Sequence, residues 1–149
     1  MSGHESKTEM RRTAAVYSDA GLRIMGESLE HEKISQKLGL VPSHTHRAGE
    51  VDKFGLPYPQ DMWLLESPLG ERKQLDTHLK WLIKQLEPSF SYLKTLKKEY
   101  KIDVFCAFTG SSGGGLSLSP AALSLFTELG IKLELSIICQ ARNKEFDSV

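Results

Sequence analysis

The sequence predicts an α+β fold, a two-layer sandwich in which a four-stranded mixed or antiparallel sheet carries its helices on one face. Residues 102–109 and 131–140 each alternate apolar with other side chains, which is the period of a strand with one buried face. Residues 74–98 instead repeat apolar side chains with the period of a helix. A doubly wound parallel sheet would require strands that are apolar along their whole length. These strands alternate, so the doubly wound fold is excluded.

The N-terminal part predicts a strand and then a short helix. Every second residue from 14 to 24 is apolar or small, which indicates a long first strand with one buried face. Ser28 is a favourable N-cap, and a helix is therefore predicted over residues 29–38. Gly39 stands where a glycine commonly ends a helix.

The middle of the chain predicts a second strand and the main helical region. Residues 62–67 form the strand, centred on Trp63. The helical region begins at residue 74 and has an apolar stripe made of Leu75, Leu79, Leu82, Ile83 and Leu86. Pro88 cannot donate a backbone hydrogen bond, so we expect a break there and a second helix after it.

The C-terminal part predicts a strand, a turn, a helix and a final strand. The third strand ends at the glycine-rich residues 110–115. Ser119 followed by Pro120 is a strong helix start, and a helix is predicted up to residue 129. Gly130 is suited to the left-handed position that ends it. The whole order is β-α-β-α-β-α-β.

The alternation also assigns side chains to the two faces of the sheet. One core is expected between the sheet and the helices, with these members: Val104, Cys106, Leu125, Phe126, Leu133 and Leu135. The opposite face is only partly polar, because Phe105, Ala107, Ile138 and Tyr17 accompany Asp103, Lys132 and Glu134. Exposed apolar patches tend to mark interaction sites, so we expect a homodimer through this face or through a paired edge strand. The alternative is that the C-terminal tail or the loop of residues 41–60 covers the patch.

Length and composition limit the classes of protein that fit. The 149 residues suit a single domain with a core over about residues 14–139 and flexible tails at 1–12 and 141–149. Nineteen basic residues balance nineteen acidic ones, so no net charge attracts nucleic acid or an anionic membrane. No apolar run approaches the ~20 residues of a membrane span. A cytoplasmic location is expected, and Cys106 and Cys139, both on the apolar side of their strands, are therefore predicted to be reduced core thiols. A disulfide between the two strands is the alternative.

The motifs examined for catalysis do not support an enzyme. Residues 110–114 match G-x-S-x-G around Ser112, but a nucleophile elbow needs a histidine later in the chain, and none follows His78. The same turn has no lysine, which a P-loop requires. We therefore assign no catalytic residue and no cofactor.

The irregular residues 41–60 are the other candidate region. His44 and His46 lie on one side of this loop, and His31, Glu50 or Asp52 could approach them. Zinc needs a third and a fourth ligand, and no readable spacing supplies them, so no metal is assigned and surface histidines are expected. The residues that a small ligand would use are His44, His46, Arg47, Glu50, Trp63 and Trp81. The two tryptophans are more often core aromatics than ligand platforms.

The order of several short motifs resembles the bacterial domain-of-unknown-function 4279 family over roughly residues 14–139. These motifs are Ile34-Ser35-Gln36-Lys37-Leu38-Gly39-Leu40-Val41-Pro42, Arg47-Ala48-Gly49-Glu50, Glu66-Ser67, His78-Leu79-Lys80-Trp81-Leu82 with Leu86-Glu87-Pro88, and Leu116-Ser117-Leu118-Ser119-Pro120 with Leu129-Gly130-Ile131. The resemblance implies no catalytic residues. Because some members look like neighbours of toxin systems, it also implies an immunity-type role as one form of protein binding.

Two functional hypotheses remain. The first is a binding or protein-interaction module, and it is favoured because no acid–base or nucleophile pair has the required spacing. The second is a small-ligand or metal-binding protein, or an enzyme, that uses the histidines of residues 41–60.

Overall fold

The computed structural model describes residues 16–111 and 115–140. The predicted tails, the start of the predicted first strand and Ser112 lie outside these ranges. The elements are β1 (Tyr17–Gly26), α1 (His31–Leu38), β2 (His44–His46), β3 (Asp61–Glu66), α2 (Leu75–Leu86), a 3-10 turn (Glu87–Ser89), α3 (Phe90–Leu96), β4 (Lys101–Ser111), α4 (Pro120–Leu129) and β5 (Lys132–Gln140).

The predicted α+β class is confirmed, and the sheet is mixed. Its strand order is β2-β3-β1-β4-β5. The pairs β2–β3, β3–β1 and β1–β4 are antiparallel, whereas β4 and β5 are parallel and are joined through α4. The predicted number of four strands is wrong, because the sheet has five.

The additional strand, β2, lies within the region that was predicted to be an irregular loop. Its three residues pair antiparallel with β3, His44 opposite Leu64 and His46 opposite Met62. Three residues are too few to show an alternating pattern, so no sequence signal marked this strand. The predicted β-α-β-α-β-α-β order is corrected accordingly, since β2 follows α1 directly and precedes β3.

The helix α1 begins later than predicted, and Ser28 does not cap it. Ser28 has a positive φ of 55°, and the residue before the helix, Glu30, makes no side-chain cap. The nearby backbone N–H of Leu29 instead donates to Asp61 Oδ2 at 2.9 Å. A carboxylate 32 residues further along the chain therefore holds the segment that leads into α1, and the helix itself has no side-chain cap.

The remaining helix signals are confirmed. The 3-10 turn that contains Pro88 separates α2 from α3, as the missing backbone N–H predicts. Ser119 Oγ accepts a hydrogen bond of 3.2 Å from Ala122 N at the start of α4. Ser119 N also donates to Asp76 Oδ1 at 2.6 Å, which connects α4 to α2. Gly130 ends α4 with a φ of 65°.

The core lies between the helices and one face of the sheet. Strands contribute Ala20, Leu22, Ile24, Trp63, Val104 and Cys106, and helices contribute Leu79, Leu82, Leu86, Leu93 and Leu125. Of the predicted core residues, Phe126, Leu133 and Leu135 pack against this cluster but are only partly buried. Within the described ranges, no helix is long and apolar enough to cross a membrane.

Candidate functional site

The face of the sheet opposite the core contains a pit. We call this face the open face; its residues include Asp19, Gly21, Arg23, Leu64, Glu66, Lys101, Asp103, Phe105, Ala107, Lys132, Glu134 and Ile138, which alternate with the core residues along each strand. The pit has a volume of about 110 Å³ and is lined by Asp19, Gly21, Arg23, Leu64, Glu66, Phe105 and Ala107. All of these residues belong to strands β1, β3 and β4, so among the residues that the structure describes no helical side chain lines the pit.

An ion pair lies at the centre of the open face. Arg23 donates from Nε and Nη2 to the two carboxylate oxygens of Asp103, both at 2.7 Å. The Asp103 side chain is 1% exposed and the Arg23 side chain 23%. The guanidinium also lies 4.7 Å from the centre of the Phe105 ring. Because both oxygens of Asp103 are satisfied by Arg23, this pair is electrically compensated.

The pit holds two further carboxylates, from Asp19 and Glu66. Neither forms an ion pair with any described residue. Partial burial, followed by repulsion from Asp19, raises the pKa of Glu66. The floor is Gly21, where a Cβ atom would lie 3.0 Å from Leu64 Cδ1 and 3.2 Å from Glu66 Cγ. A side chain at this position would therefore fill the pit.

The outer edge of the sheet is formed by β5. Its nine residues pair with β4 on one side. Ile137 and Ile138 are 56% and 55% exposed, so apolar side chains project from both faces near its end. Lys132 and Glu134 form an exposed ion pair of 2.8 Å at its start. An apolar edge strand of this length is a template for pairing with another chain.

A second candidate site is an open cleft between α1 and β2. Its volume is about 710 Å³, and it is lined by Glu30, His31, Glu32, Lys33, Thr45, His46, Arg47 and Glu50. The structure thus brings together three residues of the predicted ligand set, His46, Arg47 and Glu50, and His44 lies beside them on β2. The other charged residues of the lining, Glu30, Glu32 and Lys33, lie at the start of α1 and were not part of that predicted set.

The two histidines of β2 interact directly. His44 Nε2 and His46 Nδ1 are 2.8 Å apart, and the His46 ring stacks on Tyr58 with 3.5 Å between centroids. One ring nitrogen must donate and the other accept, so at least one of the two rings is neutral in this arrangement. His46 is buried, which differs from the predicted surface histidine, whereas His44 is exposed.

Acidification should weaken the fold through His46. Burial of this ring, followed by the charge of nearby His44, lowers the pKa of His46 from the usual 6.5. The folded chain then binds this proton less readily than the unfolded chain, so stability falls as pH drops from about 6.5 through the folded pKa. We expect urea unfolding between about pH 7.5 and 5.5 to show a smaller loss of stability for His46→Gln than for the wild type. Equal losses would contradict this expectation, and His44→Gln should give an intermediate result.

The walls of the cleft are joined by His31 and Asp61. His31 Nε2 lies 3.1 Å from the carbonyl oxygen of His46 and 3.0 Å from that of Met62. Asp61 accepts from Leu29 N, from Ala48 N at 2.7 Å and from Arg47 Nη1 at 3.3 Å. These hydrogen bonds connect α1, the segment after β2 and the start of β3. They therefore fix the positions of the segments that form the cleft.

The two predicted tryptophans lie away from the cleft lining. Trp63 is 0% exposed and donates from Nε1 to Ser35 Oγ at 2.9 Å, which is the behaviour of a core aromatic. Trp81 lies on α2 and packs, half-buried, against the core.

Two kinds of catalytic site, a metal centre and an activated serine, find no support among the described side chains. No group of three or more His, Cys, Asp or Glu residues within 16–111 and 115–140 is arranged to hold a metal ion. Ser67 Oγ and His78 Nδ1 share a hydrogen bond of 2.6 Å, but both residues are buried. His78 Nε2 finds no hydrogen-bonding partner in the described part. A substrate therefore cannot reach this serine. Its hydrogen bond instead links the residue that follows β3 to α2.

The residues of the pit were not predicted as a site because its two carboxylates come from separate strands. Asp19 and Glu66 are 47 positions apart in the sequence and meet only because β3 lies next to β1. The available signal was a charged residue inside an apolar alternation, as at Asp19, but its neighbours depend on the strand order.

The comparison with protein families agrees with the resemblance of the motifs. A profile of the family described as Domain of unknown function (DUF4279) matches residues 14–140. No curated protein and no solved structure matches the chain. The matched segment includes the described sheet, the helices and both candidate sites. The chain therefore belongs to the domain-of-unknown-function 4279 family.

Proposed function

We propose that this protein is a protein-interaction module that acts through the open face, and that it forms a homodimer there. The observation that carries the proposal is the pit in the open face, which is lined by strand residues alone and contains two carboxylates without ion-pair partners in the described part. An antiparallel sheet can leave one face in water when that face is polar, but this one also presents Phe105, Ala107 and Ile138.

The edge strand supports the same proposal. Ile138 belongs to the open face and is 55% exposed, beside an edge that has no further strand partner within residues 16–111 and 115–140. An interface that starts on this face is continuous with β5, so one partner could contact both. At the centre of this face the Phe105 ring lies against the compensated Arg23–Asp103 ion pair, so a partner would contact an aromatic side chain there without leaving a buried charge unpaired.

The dimer should be disrupted by Phe105→Glu. Phe105 is half-buried near the middle of the open face, and a carboxylate there would be desolvated by a partner and would lie beside Asp103. We expect size-exclusion chromatography with light scattering to give a dimer for the wild type and a folded monomer for the variant.

Two further variants make this test specific. Phe54→Glu introduces the same change at a side chain that is 77% exposed and outside the open face, and it should remain dimeric. Ile138→Glu alters the open face at an exposed position, and it serves as a second disrupting variant if Phe105→Glu does not fold. A wild-type protein that is monomeric at ~100 μM would refute the proposal, because association would then be weaker than about −5 kcal/mol.

The second candidate function is small-ligand or metal binding, or catalysis, in the histidine cleft. The specific observation is the cleft of about 710 Å³ that gathers acidic, basic and imidazole groups. A thermal-shift screen of nucleotides and divalent metals distinguishes the two functions. A stabilising compound whose effect disappears in His46→Gln would favour the cleft, whereas the absence of any shift would favour the open face.

The proposal also includes a cellular location. We place it in the bacterial cytoplasm, because Cys106 and Cys139 form no disulfide and the family resemblance is to bacterial proteins. Cys106 is buried, as predicted, whereas the prediction that Cys139 is a core thiol is wrong, because this residue is exposed. Burial raises the pKa of Cys106 to about 12, so this thiol is unreactive. An immunity-type role is the alternative form of the interaction, in which a toxin, and not a second copy of the chain, would occupy the open face.

A further inference from the structure

The open face carries unpaired charges of opposite sign at its two ends. The negative end is the pit with Asp19 and Glu66. The positive end is Lys101, the first residue of β4, which is exposed and forms no salt bridge with a described residue. The other charges of this face, in Arg23–Asp103 and Lys132–Glu134, are paired. A surface with this charge distribution is complementary to a second copy of itself that is rotated by 180°.

The strand register gives the separation of these two ends. Lys101 pairs with Met25 and Ala107 pairs with Asp19 across β1 and β4. Asp19 and Met25 are six residues apart on β1, which corresponds to about 20 Å along the strand. A twofold axis that crosses the strands halfway, at the level of Leu22, would place Lys101 of one copy over the level of Ala107 and Asp19 of the other.

We infer that a second copy of this chain docks face to face on the open face, with Lys101 of each copy reaching the pit at Ala107, beside Asp19 of the other. This inference rests on the proposed function and names its partner and its contacts. The axis keeps each strand above its own counterpart, so β4 packs on β4 at the ~10 Å spacing of stacked sheets. The two Phe105 rings then lie close to the axis, on either side of it.

The structure of the pit agrees with a lysine as its occupant. Gly21 leaves the floor open, and the Phe105 ring and the Leu64 side chain offer apolar walls to the methylene groups of a lysine. The two carboxylates repel each other in the isolated chain, and an ammonium group beside Asp19 would offset that repulsion. Twofold symmetry repeats the contact, so each charge change alters two contacts per dimer.

Charge reversal with mixing tests this inference. Lys101→Glu alone, and Asp19→Lys/Glu66→Lys alone, should each raise the dimer dissociation constant by about tenfold or more, because like charges then meet at both contacts. An equal mixture of the two variants should form a heterodimer, since both of its contacts again join opposite charges. Dissociation constants from sedimentation or light scattering, with circular dichroism to confirm folding, provide the readout.

Controls separate this inference from the proposed function. Lys84→Glu reverses an exposed lysine on α2, away from the open face, and should leave the dissociation constant unchanged. If the acidic-to-basic variant does not fold, Asp19→Asn/Glu66→Gln replaces it and should weaken the dimer without repulsion. A wild-type dimer that Phe105→Glu disrupts but Lys101→Glu does not would overturn the inference and leave the proposed function intact. A monomeric wild type would refute both.

Discussion

Replacing Arg23 with methionine should reduce the free energy of unfolding by about 3–5 kcal/mol, the usual cost of removing one partner of a buried ion pair. Asp103 is 1% exposed, and Arg23 occupies both of its oxygens at 2.7 Å. Methionine retains much of the apolar stem but offers no donor. The carboxylate would then remain desolvated and unpaired, which costs more than the ion pair itself contributes.

Two companion variants identify the cause of that loss. Arg23→Met/Asp103→Leu removes both charges, and it should recover most of the stability because no buried charge remains. Lys132→Met removes one member of an ion pair whose side chains are 60% and 45% exposed, and it should leave the free energy of unfolding nearly unchanged. Urea unfolding at two protein concentrations separates these effects from any change in dimerisation. A double variant as unstable as Arg23→Met would show that the packing of the arginine stem, and not its charge, stabilises the fold.

The elements that the sequence predicted correctly are those with local and repeated signals. The alternation of β4 and β5, the apolar stripe of α2 and the Ser119-Pro120 start of α4 each occupy a full element. The break at Pro88 follows from the chemistry of one residue. Signals of this kind need no knowledge of which elements are neighbours.

The errors in the predicted fold concern contacts between distant parts of the chain. Ser28 looked like an N-cap because capping is judged from neighbouring residues, yet Asp61, from β3, accepts the bond from Leu29 N. The strand β2 exists only because β3 offers an edge on which three residues can pair. Both features follow from tertiary contacts that a local pattern does not encode.

The two candidate sites differ in the same respect, since one is made of residues close in sequence and the other of residues from distant strands. His44, His46, Arg47 and Glu50 were grouped correctly because they are close in sequence, and the fold then adds α1 as the opposite wall. The pit could not be predicted without the strand order that brings Glu66 beside Gly21. The membership of the open face, in contrast, follows from the alternation alone, so Phe105 and Ile138 were predicted there together with Asp103, whereas the pairing of Asp103 with Arg23 depends on the strand order.

Replacing Asp61 with alanine should cost about 2–4 kcal/mol, the second large effect that we expect. Asp61 is buried, and its two oxygens accept from the backbone N–H groups of Leu29 and Ala48 and from the Arg47 guanidinium. Alanine leaves two backbone donors without acceptors, one of them on the fully buried Leu29. Asp61→Asn keeps one carbonyl oxygen in place, so its loss should be smaller than that of alanine.

The pH dependence of this loss identifies the carboxylate as its cause. The hydrogen bond from Ala48 N, opposed by burial and supported by Leu29 N, lowers the pKa of Asp61. A lowered folded pKa gives stability that is present above the unfolded value of about 3.9 and is lost as pH falls through the folded value. The difference between the wild type and Asp61→Asn should therefore be largest near neutral pH and should shrink on acidification below about pH 4.

The matched control is Asp52→Ala. Asp52 Oδ1 also accepts from two backbone N–H groups, those of Phe54 at 2.8 Å and Leu56 at 3.0 Å, but these bonds are exposed. Water can replace the lost acceptor there, so we expect a cost below about 1 kcal/mol. Equal losses for Asp52→Ala and Asp61→Ala would contradict the role assigned to burial. A larger loss for Asp61→Ala, together with greater exchange of the Leu29 amide hydrogen, would show that this carboxylate holds α1 against the sheet.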